Sequence, residues 1–280
     1  MQATALTDSG PTLPPGWRRH IHLAMQDVGE SLKLWRLWML MATNDIAQRY
    51  RRSLIGPFWL TLSTGIMILA LGLVYSYLFK IPVHEYLPYL AAGQVVWTLM
   101  SSILLEAGSA FVAAEGYLKQ VRIPKLAFIL QLVTRNLIIL LHNMVIYIIV
   151  WLIYQPPLGW QTLLFIPGLI LILVAGTAAA TMLSVICARF RDMPQIVISL
   201  LQVVYFLTPV MWRSNQLNEG NHAIIKYNPF LVFLDIARGP LLGEMPSAET
   251  WVIAVGLTVL TCIPAFFFFA RFRARITYWL

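Results

Sequence analysis

The chain has 280 residues, of which 59% are hydrophobic and only 11% charged, and its mean hydropathy is +0.72. That leaves too little polar surface for a water-soluble domain of this size, so composition indicates an integral membrane protein with room for about six spans. The formal net charge of +8 does not point to nucleic acid, because its placement has another explanation. Seven Lys and Arg precede Phe58, three lie between Lys119 and Lys125, two are Arg189 and Arg191, and three lie between Arg271 and Arg275. All of these fall on one side of the topology below. Lys80, Arg213, Lys226 and Arg238 fall on the other side, and Arg135 sits inside a span. The excess orients the chain, with both termini cytoplasmic.

In chain order, residues 1–28 are expected to form a disordered tail, polar and proline-bearing near its start. It has no basic stretch leading into an apolar core, so no cleavable signal is expected. Residues 29–56 predict an amphipathic interface helix. Trp35, Trp38, Met39, Met41, Ala42 and Ile46 share a broad apolar side, with Lys33, Arg36, Asn44, Asp45 and Arg49 on the polar parts. Such a helix lies in the headgroup region or forms a short soluble cap. The junction reads R-Y-R-R-S-L-I-G-P-F-W at 49–59, placing Arg49, Arg51 and Arg52 directly before Gly56 and Pro57. The run Phe58 to Phe79 that follows has no charged residue and is long enough to cross the ~30 Å hydrocarbon core.

Residues 57–280 predict an all-α integral membrane domain of six transmembrane helices. The spans fall at about 57–79, 88–109, 126–153, 162–187, 195–212 and 250–270, with a tight external turn at 80–88 and a basic tail at 271–280. Between spans five and six, Asn228 and Pro229 begin an apolar stretch as helices begin, with Asn as N-cap and Pro at the first position. Gly239-Pro240 ends it, and Asp235 and Arg238 are spaced to pair on one face. The stretch is too short to span, so it predicts a re-entrant helical hairpin, with a simple external loop as the alternative.

No catalytic constellation is present. There is no G-x-x-x-x-G-K-[ST] loop, the five histidines are scattered, and no Cys, Asp or Glu joins a His at metal-ligand spacing. Cys187 and Cys262 read as small buried hydrophobes, and His142 with Asn143 as interhelical hydrogen-bonding groups. Glu106 and Arg135 lie at membrane depth on antiparallel neighbouring spans, which allows a structural pin; a place in the transport path is the alternative. Among aromatics, Phe58, Trp59 and Tyr75 belong to span one, Tyr205 and Phe206 to span five, and Tyr227, Phe230 and Phe233 to the re-entrant stretch. An interfacial belt explains Trp59 but not the mid-span Tyr205 and Phe206. Sugar rings stack their apolar faces on such side chains, so an aromatic-lined glycan passage is the other reading. The segment Phe111 to Lys125 has a short-helix pattern in which Tyr117, Leu118 and Val121 share a face, a docking knob for a soluble partner or else a linker on the lipid.

Taken together, these stretches resemble the permease subunit of ABC-2 type exporters, most closely the polysaccharide and O-antigen branch. The resemblance is carried by 49–59, by L-K-Q-V-R-I-P-K at 118–125, by N-P-F-L-V-F-L-D-I-A-R-G-P-L-L-G at 228–243 and by the closing F-R-A-R-I-T-Y-W-L. One departure is Ser63-Thr64-Gly65, where many members carry an Asn-Pro pair. The resemblance implies a homodimer in the bacterial inner membrane with a glycan channel along its interface, and two copies of a separate ABC ATPase. ATP and Mg would bind that partner, with no cofactor and no metal on this chain. It further implies that Tyr117, Leu118, Lys119, Gln120, Val121, Arg122 and Pro124 couple to the ATPase. Arg49, Arg51 and Arg52 would lie where an undecaprenyl-pyrophosphate headgroup enters, with anchoring to membrane lipids as the alternative. Phe58, Trp59, Tyr75, Tyr205 and Phe206 would line the channel, and Tyr227, Asn228, Pro229, Phe230 and Phe233 would form a gate. The expected function is a non-enzymatic channel subunit exporting lipid-linked polysaccharide. The alternatives are an ABC-2 exporter of teichoic acid, capsule, lipid or drug, and an intramembrane glycan or lipid transferase.

Overall fold

The computed structural model describes residues 16–49, 51, 53, 56, 58–157, 159–213 and 228–280. Among these the chain is helical and has no strand. In order come α1 (Trp17–Lys33), α2 (Trp35–Arg49), α3 (Phe58–Phe79), α4 (Val83–Ala107), α5 (Ala110–Ala113), α6 (Glu115–Gln120) and α7 (Leu126–Tyr154). A 3-10 turn (Trp160–Leu164) then leads into α8 (Phe165–Arg189), followed by α9 (Met193–Leu207), α10 (Pro229–Leu241) and α11 (Ala248–Trp279).

Among the described residues five helices are long and apolar enough to cross a bilayer: α3, α4, α7, α8 with its leading turn, and α11. Helix α4 is the hub, touching α3, α7, α8 and α10. Much of it is buried, with Tyr86, Leu90, Val95, Val96 and Ile103 all inside. Helix α3 is the opposite case, burying only Ile68, Gly72 and Ser76 and presenting Leu69, Leu73, Tyr77 and other large apolar side chains outward.

Several expectations need correction. Residues 17–28, assigned to a disordered tail, belong to α1; Ala24, Asp27 and Ser31 recur at helical spacing and face the protein, and the helix packs on α11 and α7. The single interface helix expected over 29–56 is split at Leu34 into α1 and α2, and residues 50, 52, 54, 55 and 57 lie outside the described residues. On α2 only Ala42 and Ile46 are buried, so Trp35 and Met39 of the expected apolar side face outward. The second span begins at Val83, within the expected external turn, and carries Pro88 inside it. The expected basic tail is a continuation of α11 to Trp279.

The fifth expected span, 195–212, is the 15-residue α9, about 22 Å long and short of the ~30 Å core. It stops at Thr208, which is extended (φ −92°, ψ 131°), because the residue before a proline is driven out of the α region by the Pro209 ring. Helix α10 begins as expected, with the Asn228 side chain accepting from the Phe230 N–H at 3.0 Å. It packs against α8, α11 and α4. Close approach to α8 depends on Gly168, where a Cβ would sit 2.7 Å from the Ile236 carbonyl oxygen. The other half of the expected hairpin, residues 214–227, lies outside the described residues.

Candidate functional site

Three features stand out, in order from the basic end of the bundle. The first is a charged network. Asp45 on α2, Glu106 on α4 and Arg135 on α7 meet because one polar position on each helix faces the shared contact. Arg135 donates from Nη1 to Asp45 Oδ2 at 2.6 Å and from Nη2 to Glu106 Oε2 at 2.8 Å. Gln131 donates to Asp45 at 2.8 Å and Asn136 to Glu106 at 2.6 Å. Arg49 stands 3.9 Å from Glu106. The expected Glu106–Arg135 pin is therefore present, with Asp45 as a further member. Two carboxylates and two guanidinium groups balance, which is what partial burial demands of charges. The network borders a cleft of about 610 Å³ reaching Tyr117 and Phe128.

Beside it, α1 is locked to the bundle. The buried Asp27 carboxylate accepts from the backbone N–H groups of Lys125 and Leu126 at 3.1 and 3.0 Å, where α7 starts. It also accepts from Arg273 Nε at 2.6 Å. An anion there satisfies otherwise orphaned first-turn donors and suits the positive end of the helix dipole. Burial, with Arg273 close by, pushes the Lys125 ammonium down to about 8, while Asp27 acts the other way.

The second feature is the short segment α5–α6. Lys119 donates to Glu115 at 2.6 Å, and this hydrogen bond holds the Glu115 carboxyl below its usual range. Tyr117 is 56% exposed and Val121 52%, whereas Leu118 is only 9% exposed. Lys119, Gln120 and Arg122 are exposed as well, and Pro124 is buried. The expectation that Tyr117, Leu118 and Val121 share one outward face is thus corrected: Leu118 and Pro124 anchor the segment from within.

The third feature is a groove of about 440 Å³ between α3, α4 and α9. Its walls combine Trp97, Tyr205 and Phe206 with the polar Gln94, Thr98, Ser101 and Gln202. Tyr205 donates to Gln94 Oε1 at 2.7 Å and its ring lies 5.3 Å from Trp97; the ring of Phe230 on α10 lies 5.7 Å from Trp97. Phe206 is 65% exposed.

Beyond the groove, the turn after α9 is held from two helices. Tyr86 donates to the Met211 carbonyl, and Tyr89 to those of Pro209 and Trp212 at 3.1 and 3.0 Å. Arg238 of α10 donates to Pro209 O at 2.6 Å while paired with Asp235 at 2.6 Å, and Asn228 bonds Thr208 Oγ1 at 2.8 Å. The start of α10 is therefore tied to the end of α9. Tyr86, Tyr89 and Trp97 were missed from sequence, where an aromatic in an apolar run carries no mark of its partner.

The remaining expected residues are dispersed. Phe58 and Trp59 are exposed at the start of α3, and Tyr75 stacks with Phe79 at 5.4 Å near its far end; neither group joins the groove. Arg51 is exposed, and Arg52 and Tyr227 lie outside the described residues. Pro229 is exposed, while Phe230 and Phe233 are half-buried. Among the described residues no group of His, Cys, Asp and Glu is placed to hold a metal.

Comparison with known proteins bears on this arrangement. The ABC-2 type transporter family model matches residues 36–242, from the start of α2 to the end of α10. The chain is similar to the O-antigen export system permease protein RfbA of Myxococcus xanthus, 25% identical over 232 residues, which is 80% of this chain and 87% of that protein. It is also similar to two proteins of the same name from Klebsiella pneumoniae, at 21% and 22% identity over 202 residues, 70% of this chain and 76% of each relative. Since the family match contains the charged network, the α5–α6 segment, the groove and α10, the chain belongs to the ABC-2 type transporter family.

Proposed function

We propose that this chain is the permease subunit of an exporter that moves lipid-linked polysaccharide of the O-antigen type across the bacterial inner membrane. Two copies form the channel and two copies of a separate ATPase, carrying ATP and Mg, drive it. The observation that carries the reading is the groove between α3, α4 and α9. It sets aromatic faces beside amide and hydroxyl groups, and a sugar presents the complementary pair, an apolar ring face with hydroxyls at its edge. The three relatives, each an O-antigen export system permease by name, agree with a glycan cargo.

In this reading α9 with the turn Thr208–Trp212 makes a sixth crossing, and both termini are cytoplasmic. The largely unpartnered faces of α3 and α9 border the channel. Exposed Tyr117, Lys119, Gln120, Val121 and Arg122 receive the ATPase. Its closure pushes α5–α6 and, through Asp45 and Arg135, α2 against α7. Arg49, Arg51 and Arg52 meet the pyrophosphate headgroup, and α10 is the outer gate, with Asn228, Pro229, Phe230 and Phe233 at its moving end. Deletion of the gene tests the reading: surface glycan should vanish while lipid-linked polymer accumulates inside. Unchanged surface glycan refutes it.

A further inference from the structure

The groove between α3, α4 and α9 has an electrostatic character that its aromatic rings do not explain. None of the described residues that line it is Asp, Glu, Lys, Arg or His. Neither α3 nor α9 contains one anywhere along its length. The charged residues of α4 do not make up for this. His84 and Glu85 stand at its start. Glu106, one residue beyond the wall residue Leu105, has its carboxylate taken by Arg135 of α7 at 2.8 Å.

The hydrogen-bonding groups of the wall are biased as well. A hydroxyl has one proton to give, and three hydroxyls here have given theirs to the protein. Thr98 donates to the Gln94 carbonyl at 2.8 Å, Ser101 to the Trp97 carbonyl at 2.8 Å, and Tyr205 to Gln94 Oε1 at 2.7 Å. What those three oxygens keep is lone pairs. The other side-chain donors of the wall are the amides of Gln94 and Gln202 and the Trp97 indole, all uncharged.

A carboxylate or phosphate only accepts hydrogen bonds. In this groove it meets lone pairs, ring faces that are themselves negative, and no cation to offset its loss of water. A sugar hydroxyl both gives and takes a proton, so it can use the acceptors and the amides together. Its ring brings an apolar face for Trp97, Tyr205 and Phe206.

We propose that this groove is a charge filter, passing uncharged sugar units and holding back a polymer that carries a carboxylate or phosphate in each repeat. The proposal rests on the export reading above and deepens it by naming the class of glycan. The carrier's pyrophosphate crosses once per polymer, and that reading gives it arginine partners at the basic end. An acidic sugar meets the groove at every repeat.

The test uses the full chain with its ATPase in proteoliposomes and three polymers of equal length on one polyprenyl pyrophosphate carrier. One has a neutral hexose in each repeat, the second the corresponding hexuronic acid, and the third the methyl ester of that acid. The wild-type complex should move the acid at least about tenfold more slowly than the hexose. The ester, bulkier than the acid but uncharged, should regain most of the loss. Gln202→Lys and Met67→Lys each set a cation at an exposed position of the wall and should raise crossing of the acid severalfold. Equal crossing of acid and hexose by the wild-type complex, or an ester as slow as the acid, overturns the proposal, and this comparison decides even if neither variant folds. A difference that an active Lys variant leaves unchanged overturns the assignment to this groove. ATP hydrolysis with none of the three polymers crossing removes the export reading, and the filter with it; hexose and acid crossing alike keeps that reading and removes only the filter.

Discussion

Asp27 and Arg273, 246 positions apart in the chain, meet at 2.6 Å and join the two ends of the described structure, α1 and α11. Asp27 is fully buried and also accepts two backbone N–H bonds at the start of α7. Asp27→Ala should therefore lower stability by about 3 kcal/mol, the magnitude for breaking a buried pair. Arg273→Met should cost less, because the carboxylate keeps its two backbone donors. Thermal unfolding in detergent reads the order, and a larger loss for Arg273→Met contradicts it.

Lys125 beside this joint gives a pH signature. Its folded value is lowered from 10.5 to about 8, so between those values the unfolded chain binds more protons than the folded one. Stability from this group must rise as pH rises through that window. The melting temperature of the wild-type chain should climb from pH 8 to pH 10 relative to Lys125→Met, with a constant difference below pH 7. A parallel course of the two curves across the window refutes the assignment.

Arg135 carries the attachment of α2 to the spans. A double-mutant cycle between Asp45 and Arg135 should give a coupling of about 1–3 kcal/mol. The cycle between Arg49 and Glu106, 3.9 Å apart with Arg49 half exposed, should give about 0–1 kcal/mol. Equal couplings would mean that the network is not organised by Arg135.

On the α5–α6 segment, exposure separates two classes of variant. Lys119→Glu with Arg122→Glu should leave the fold intact and uncouple ATP hydrolysis from export. Leu118→Ala, at a buried position, should instead lower stability by about 2 kcal/mol or more. Hydrolysis and export assays on the complex, beside thermal unfolding of the permease, distinguish them. Intact export in the double charge reversal would sink the coupling role.

Along the groove, Phe206→Ala removes an exposed ring and should reduce glycan export without changing stability. Tyr205→Ala should reduce both, because it also removes the bond to Gln94 and the Trp97 contact. Export of a small lipid that is untouched by Phe206→Ala, with no glycan moved by the wild-type chain, would favour the lipid or drug exporter reading.

How far these features could be seen in the sequence depended on what marked them. The long apolar runs of α3, α7 and α8 announced themselves, since lipid tolerates few charges and the basic clusters lie at one end. Arg135 and Glu106 were legible because charges at membrane depth need partners and antiparallel neighbours are close. Asp45 was not, because its partner lies on another helix and composition says nothing about which faces of α2 and α7 meet. Helix α1 escaped because its inward face carries the polar Asp27 and Ser31, and Asp27 looks solvated until Arg273 and the α7 backbone satisfy it. The inward turn of Leu118 and the halt of α9 at Thr208 are tertiary and local backbone effects that hydropathy does not record.

The most direct measurement reconstitutes the permease with its ATPase in proteoliposomes loaded with lipid-linked polysaccharide on the ATPase side. Both nucleotide turnover and glycan crossing are followed. ATP-dependent crossing that requires both chains, with no hydrolysis by the permease alone, is the predicted result. Hydrolysis by this chain unaided, or an active complex that moves no glycan, would contradict it.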